Sequence, residues 1–261
     1  MDPSYKFILV SGGHDITIPD SYGDQRYRNF PLRGFRGGAN WNRIIDSPQV
    51  LHWFAENKDV NHQKMSALPT GMAFLDNDDR SDFPKSVSHI LNRTLAVLNS
   101  DRVRDGQGQW KKRADVATAC RTTSWCRQPQ QGVHAEGGIT RKDFLELVAS
   151  VPFVACVQGG GLDPSPKAWE SMLVGTIPII ERNTVSDAYE HYPVVFVDDW
   201  GELFSNATRG EEMLKHWVKE LAPYYEEGSA LRKRTLDVSF ENITPHPYGY
   251  IHAFYDYNLL G

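Results

Sequence analysis

The second half of the chain alternates short apolar runs with amphipathic stretches. "PFVACV" (Pro152–Val157), "TIPII" (Thr176–Ile180) and "VVFVDD" (Val194–Asp199) are nearly continuous apolar runs. That is how strands covered on both faces of a parallel sheet read. "TLAVLN" (Thr94–Asn99) predicts another strand, and "TTSWC" (Thr122–Cys126) is a possible one. Between and after them, four stretches predict helices: Gln109–Cys120, Thr140–Ser150, Ser165–Val174 and Gly210–Leu221. Thr140 is a natural N-cap with Asp143 three residues on, and Ser165-Pro166 reads as an N-cap followed by proline at the first helical position. Strands alternating with helices of this length predict a doubly wound α/β domain.

The first half is less regular. "KFILV" (Lys6–Val10) predicts a short buried strand ending at Ser11-Gly12-Gly13. "SPQVLHWFAEN" (Ser47–Asn57) fits a helix capped by Ser47 or a strand, and its dense apolar run does not decide between them. "MSALPTG" predicts a short strand stopped by Pro69 and Gly71, and "PKSVSHILNR" (Pro84–Arg93) a helix. The division is expected near residue 92: an α/β part over 1–92, a Rossmann-like part over 93–245, and an aromatic tail over 246–261 that packs back on the first part. A cleft between the two parts is the expected ligand site.

Composition narrows the function classes. A formal net charge of −5 over 261 residues argues against general nucleic-acid binding. No apolar run approaches the roughly 20 residues of a membrane-spanning helix, and the first residues do not read as a signal peptide. Three cysteines, Cys120, Cys126 and Cys156, fit no zinc or redox spacing. The expectation is no disulfide framework, with Cys156 as a core residue, and a reducing, cytoplasmic setting.

The stretch with most chemical content is "VQGGGLDPSPKAWESMLVGTIPII" (Val157–Ile180). Strand, glycine turn, helix, strand is a phosphate-binding order. Gly159, Gly160 and Gly161 allow backbone to approach a ligand, and Asp163 shares the turn. Lys167 can neutralise phosphate, and Glu170 can accept hydrogen bonds from a ribose diol. Upstream, Arg102, Lys112 and Arg113 cluster after the first strand of the second part, with Arg113 the first choice for a diphosphate. A nicotinamide-dependent oxidoreductase is the first alternative, since Glu181 lies at the right distance from Gly159, but Pro164 stands where the dinucleotide fingerprint needs glycine. A non-catalytic carbohydrate- or nucleotide-binding module is the second.

The block "FVACVQGGGLD…KAWESMLVGTIPII" followed by "PVVFVDDW" resembles the C-terminal half of exostosin-like glycosyltransferases. Gly159, Gly161, Asp163, Lys167, Trp169, Glu170, Gly175, Pro178, Asp198, Asp199 and Trp200 match in order. "FILVSGGHDITIPD" and "LHWFAEN…LPTGMAF" look like the family's small members, including those of large DNA viruses of algae. One departure is Ser-Pro-Lys where the family often has His-Arg or Tyr-Arg. The resemblance implies a GT-B fold of two Rossmann-like domains. It further implies a UDP-sugar donor in the second, with xylose a candidate sugar, and a glycan acceptor and the base in the first. Transfer would be inverting and would require no metal or other cofactor.

In that setting Asp15 is the first candidate base and His14 the next, both just past the first strand. Trp41, Trp53 and Arg36 are candidate acceptor-binding residues, the aromatics as faces for sugar C–H groups. An RNA-contacting role for the Arg- and aromatic-rich segment around Arg36 is the alternative. His134 and Glu136 sit in a glycine-rich loop that could cover the nucleotide. Asp76-Asn77-Asp78 matches the D-x-D of metal-dependent transferases, so Mn or Mg is possible but not favoured.

Overall fold

The computed structural model of the protein describes residues 4–12, 15–19, 41–73, 82–103, 110–129, 139–226 and 250–251. Two parallel sheets dominate. The first has three strands in the order β1 (Phe7–Ser11), β2 (Val50–Ala55), β3 (Met65–Ala67). A short helix, α1 (Trp41–Ile45), precedes β2. Ile45, Ala55 and Met65 form the small core of this sheet, with Trp41, Trp53 and Ile18 packed around it.

The segment 47–57 is a strand, not a helix. Ser47 does take a backbone amide on its side chain, from Gln49, but the chain turns there, with Val50 N–H on the Ser47 carbonyl, and then extends. β2 is paired along its length, with β1 from Phe7↔Val50 to Ser11↔Ala55 and with β3 from Trp53↔Met65 to Ala55↔Ala67. Pairing on both edges overrides an ambiguous local pattern.

The second sheet has five parallel strands, β5 (Val97–Leu98), β6 (Cys126–Arg127), β7 (Phe153–Ala155), β8 (Ile177–Glu181) and β9 (Val195–Val197). Their spatial order is β6-β5-β7-β8-β9. Numbered within this half that is 2-1-3-4-5, a doubly wound sheet whose strand order reverses between β5 and β7. One face is covered by α2 (Lys111–Arg121), α5 (Trp200–Phe204) and α6 (Ala207–Leu221), through a core that includes Val116, Phe153, Ile177, Leu203 and Leu214. The other is covered by α3 (Arg141–Ala149) and α4 (Lys167–Leu173), through Phe144, Val148, Val154, Trp169 and Ile180. A two-stranded antiparallel ribbon joins β4 (Met72–Ala73) to β10 (Tyr250–Ile251).

Local signals are met in part. Thr140 caps α3 as expected, accepting from Asp143 N–H at 3.1 Å. Gly175, just past the end of α4, has φ 72°, the left-handed geometry that ends helices. Three expectations are corrected. Pro84–Arg93 is not an α-helix but extended chain ending in a 3-10 turn over Ile90–Asn92. Arg93 explains this: its guanidinium is anchored on the Ser88, Val151 and Val174 carbonyls and on Thr176 Oγ1, tying the segment to the sheet.

Ser165 does not cap α4. It has φ 83°, the cap position falls on Pro166, and Asp163 Oδ1 accepts from Ser165 N–H at 2.8 Å. Cys120 and Cys126 form a disulfide, where none was expected. The strand turn that starts β6 beside the end of α2 brings them together, a closeness that a spacing of 6 residues does not announce. Cys156 is a free, buried thiol as expected, and its burial pushes the pKa up to about 12.

The two halves meet along a polar seam. Asn57 Oδ1 accepts from the amides of Leu162 and Asp163, at 2.8 and 2.9 Å. Lys58 reaches Asp187 at 2.8 Å, and the same carboxylate oxygen accepts from Ala67 N–H. Thr184 donates to the Lys58 carbonyl, and Thr70 N–H to Asp163 Oδ2.

Candidate functional site

The place where ligands bind in a doubly wound sheet is the crevice beyond the carboxyl ends of the strands at the order reversal. Here that point lies between the segments following β5 and β7. The first supplies Asn99, Ser100 and Asp101; the second supplies Gln158 and Gly159–Gly161.

Asp101 is the hub. Its Oδ1 takes Lys167 Nζ at 2.7 Å and lies 3.7 Å from Arg113 Nε, while Oδ2 accepts from Val157 N–H at 3.3 Å. Arg113 also donates through Nε and Nη2 to the Val157 carbonyl. Two cations thus share one nearly buried carboxylate, leaving one positive charge in excess within the cluster. Beside it, Asn99 Nδ2 and Ser100 Oγ are buried with no hydrogen-bond partner among the described residues. Unpaired buried polar atoms are uncommon and mark a place where a ligand or water belongs.

The glycines lie against three side chains from three different places. A Cβ on Gly159 would fall within 3.0 Å of the Arg113 guanidinium, on Gly160 of the Asp15 carboxylate, and on Gly161 of the Asn57 amide. Asp15 and Asn57 come from the first half, so the turn is where the two halves touch. Only a residue without a side chain leaves room for this approach.

The remaining candidates fall as follows. Asp163 is buried in the seam, accepting from Thr70 N–H, Ser165 N–H and the Tyr189 hydroxyl, and burial raises its pKa. Glu170 is buried too. Its Oε1 is held by Arg141 Nη1 at 2.8 Å; burial raises its pKa, and the nearby Arg141 charge partly offsets that. Lys112 turns away from the glycines to Glu181, 2.6 Å away. Arg102 is exposed and contributes its carbonyl to Arg113 Nη1.

Trp53 donates to Ser11 Oγ at 2.8 Å, Trp41 packs edge-on to His62, and both lie around the small core. His14, Arg36, His134, Glu136 and Asp76–Asp78 lie outside the described residues.

Sequence reasoning missed Asp101, Asn57 and Arg141. Asp101 carried a usable signal, an acidic residue at the carboxyl end of the first strand of the doubly wound half. Arg141, directly after a helix cap, carried none.

The fold and the site define a parallel α/β protein with a glycine turn beside a charged cluster at the reversal point of its larger sheet. No protein-family model matches the chain, and no curated protein matches it. Among the described residues no helix is long and apolar enough to cross a membrane, and no group of three or more His, Cys, Asp or Glu could hold a metal ion.

Proposed function

We propose that the protein is a glycosyltransferase that moves a sugar from a nucleoside-diphosphate sugar, UDP first among the nucleotides, to a hydroxyl of a glycan acceptor with inversion. The observation that carries the reading is the pairing of opposite charges on adjacent glycines: Arg113 against Gly159 and Asp15 against Gly160, at the sheet's reversal point. A displacement at an anomeric carbon needs both. Asp15 takes the proton of the acceptor hydroxyl as its oxygen attacks the carbon from the face opposite the leaving group. The bond from the anomeric carbon to the phosphate oxygen breaks, and the nucleoside diphosphate departs with the electron pair. Arg113 and Lys167 meet the charge that builds there, in the manner of a preorganised anion site. Asn99 and Ser100 offer further hydrogen bonds to the diphosphate. A ribose contact by Glu170 would use Oε2, since Arg141 occupies Oε1. Xylose is a candidate donor sugar on the resemblance alone.

The test is a thermal-shift panel of UDP, GDP, CMP and NAD, each with Mn²⁺ or with EDTA, followed by UDP release from UDP-sugars. Stabilisation by UDP that survives EDTA is expected, because a ligand that binds only the folded state raises its melting temperature. Asp15→Asn is expected to lower turnover by about 100-fold or more while UDP affinity holds. A shift with NAD alone, or turnover unchanged by Asp15→Asn, would overturn the reading.

A further inference from the structure

One residue along from the glycine turn, a cavity of about 490 Å³ opens at the carboxyl ends of β7, β8 and β9. Its wall includes Lys112 and Val116 of α2, Gln158 after β7, Glu181 at the end of β8, and Trp200 and Phe204 of α5. It is a half-open groove with room for a small molecule.

The polar accounting of this wall does not close. Glu181 Oε1 receives the Lys112 ammonium at 2.6 Å, but Glu181 Oε2 is buried with no partner among the described residues. Trp200 is only 5% exposed, and its indole N–H is likewise buried with no acceptor. Two residues of the wall therefore carry a carboxylate acceptor and a neutral donor, both screened from solvent, that no described residue pairs, and each is costly to leave unpaired. The rest of the wall is partly apolar, with Val116 and the rings of Trp200 and Phe204, whose centroids are 6.5 Å apart.

These features select a ligand class. An anion would meet the Lys112 ammonium but would be repelled by the Glu181 carboxylate beside it. A simple cation has no use for an indole N–H. A hydroxyl both donates and accepts, so a ring carrying several hydroxyls satisfies Glu181 and Trp200 together. Its C–H faces suit the apolar part of the wall. The long side chains at the mouth, Lys111 and Lys112, are the groups that can shift to admit it; Lys111 is well exposed, and Asp115 holds it at 2.5 Å.

The geometry points to a sugar-binding site here, formed by Glu181 Oε2 and Trp200 Nε1 and taking a neutral pyranose or furanose ring. The ring belongs either to a glycan or to the ribose of a nucleoside. The site stands apart from Asp15, Arg113 and Lys167 and does not rest on the transferase reading.

Saturation-transfer NMR on the full chain tests it with two probes, methyl β-D-xylopyranoside for the glycan source and uridine for the nucleoside source. Signal from either probe is expected, and the stronger one names the source. Glu181→Gln should weaken that binding about tenfold, because it removes a charged acceptor. Trp200→Phe should weaken it about fivefold, because it removes one neutral donor and keeps the ring. Ala119→Phe, which fills the cavity from the half-exposed side of α2, should abolish it without touching either orphan atom. Arg113→Ala should leave it unchanged, which separates this site from the glycine turn. No signal from either probe, or a signal that all three cavity variants leave intact, would overturn the assignment.

Discussion

Among the described residues the larger sheet is sandwiched between helices and the smaller one is not, and their strands show it residue by residue. Phe153, Val154 and Ala155 of β7 are all fully buried, because α6 lies on one side and α4 on the other. β1 alternates instead: Ile8 and Val10 are 55% and 68% exposed, while Phe7, Leu9 and Ser11 turn inward only in part. With a core of Ile45, Ala55 and Met65, the first sheet has little apolar area to hold itself together. It is joined to the second by the polar seam through Asn57, Lys58, Asp163 and Asp187 and by Ala67 of β3, which packs into the larger half's core. The lesson is that one half is organised around a large core of its own, whereas the other leans on its neighbour through directed hydrogen bonds and one buried alanine.

The sharpest way to break this comparison is Phe153→Ala. Emptying the doubly covered core should cost about 3–5 kcal/mol, read by urea denaturation. Replacing Cys120 and Cys126 by serine removes a short covalent loop from the same half and should cost about 2 kcal/mol. Reducing agent should lower the wild-type melting temperature and leave the double variant unmoved.

Asn57→Gly probes the seam. Asn57 has φ 49°, a conformation glycine accepts, so the substitution removes the two amide hydrogen bonds without straining the backbone. About 1–3 kcal/mol is expected, and hydrogen exchange should rise in β1–β3 before it rises in β7 and β8. Equal acceleration in both sheets would contradict the division.

A smaller effect is a pH slope. Burial raises the Asp163 pKa above its ordinary 3.8, so the folded state keeps a proton that the unfolded chain has released. Its contribution to stability is then fullest below pH 3.8 and declines as pH climbs through the raised value. Asp163→Asn should flatten that decline in a melting-temperature series; an unchanged slope would place its origin elsewhere. The smallest effect should come from Val10→Ser, within about 0.5 kcal/mol, since that side chain already faces solvent.

The same contrast governs what the sequence made legible. The larger sheet announced itself because burial on both faces demands continuous apolar runs, as in Pro152–Val157 and Thr176–Ile180. Thr140 and Asp143 set a helix start by local chemistry alone. Val50–Ala55 could not be decided locally because its strand character comes from neighbours on both edges. Pro84–Arg93 looked helical because nothing nearby reveals that Arg93 is anchored on carbonyls more than fifty residues away. In the site, the glycine turn was readable, and so were the cations around it. Their partners were not. Asp101 under Lys167 and Arg141 on Glu170 are pairings made by the fold, and the Cys120–Cys126 bond is of the same kind.

The glycine turn also constrains how this sequence can drift. Each missing methyl is occupied by a side chain rooted elsewhere, Arg113 in α2, Asp15 beyond β1 and Asn57 beyond β2. Alanine at Gly159, Gly160 or Gly161 is therefore admitted most easily after its particular occupant has shrunk. That favours one order for accumulating paired substitutions: the remote residue first, the glycine second. A library that randomises the turn alone should return glycine at all three places, whereas one that varies Asp15, Asn57 and Arg113 together with the turn should release them one by one.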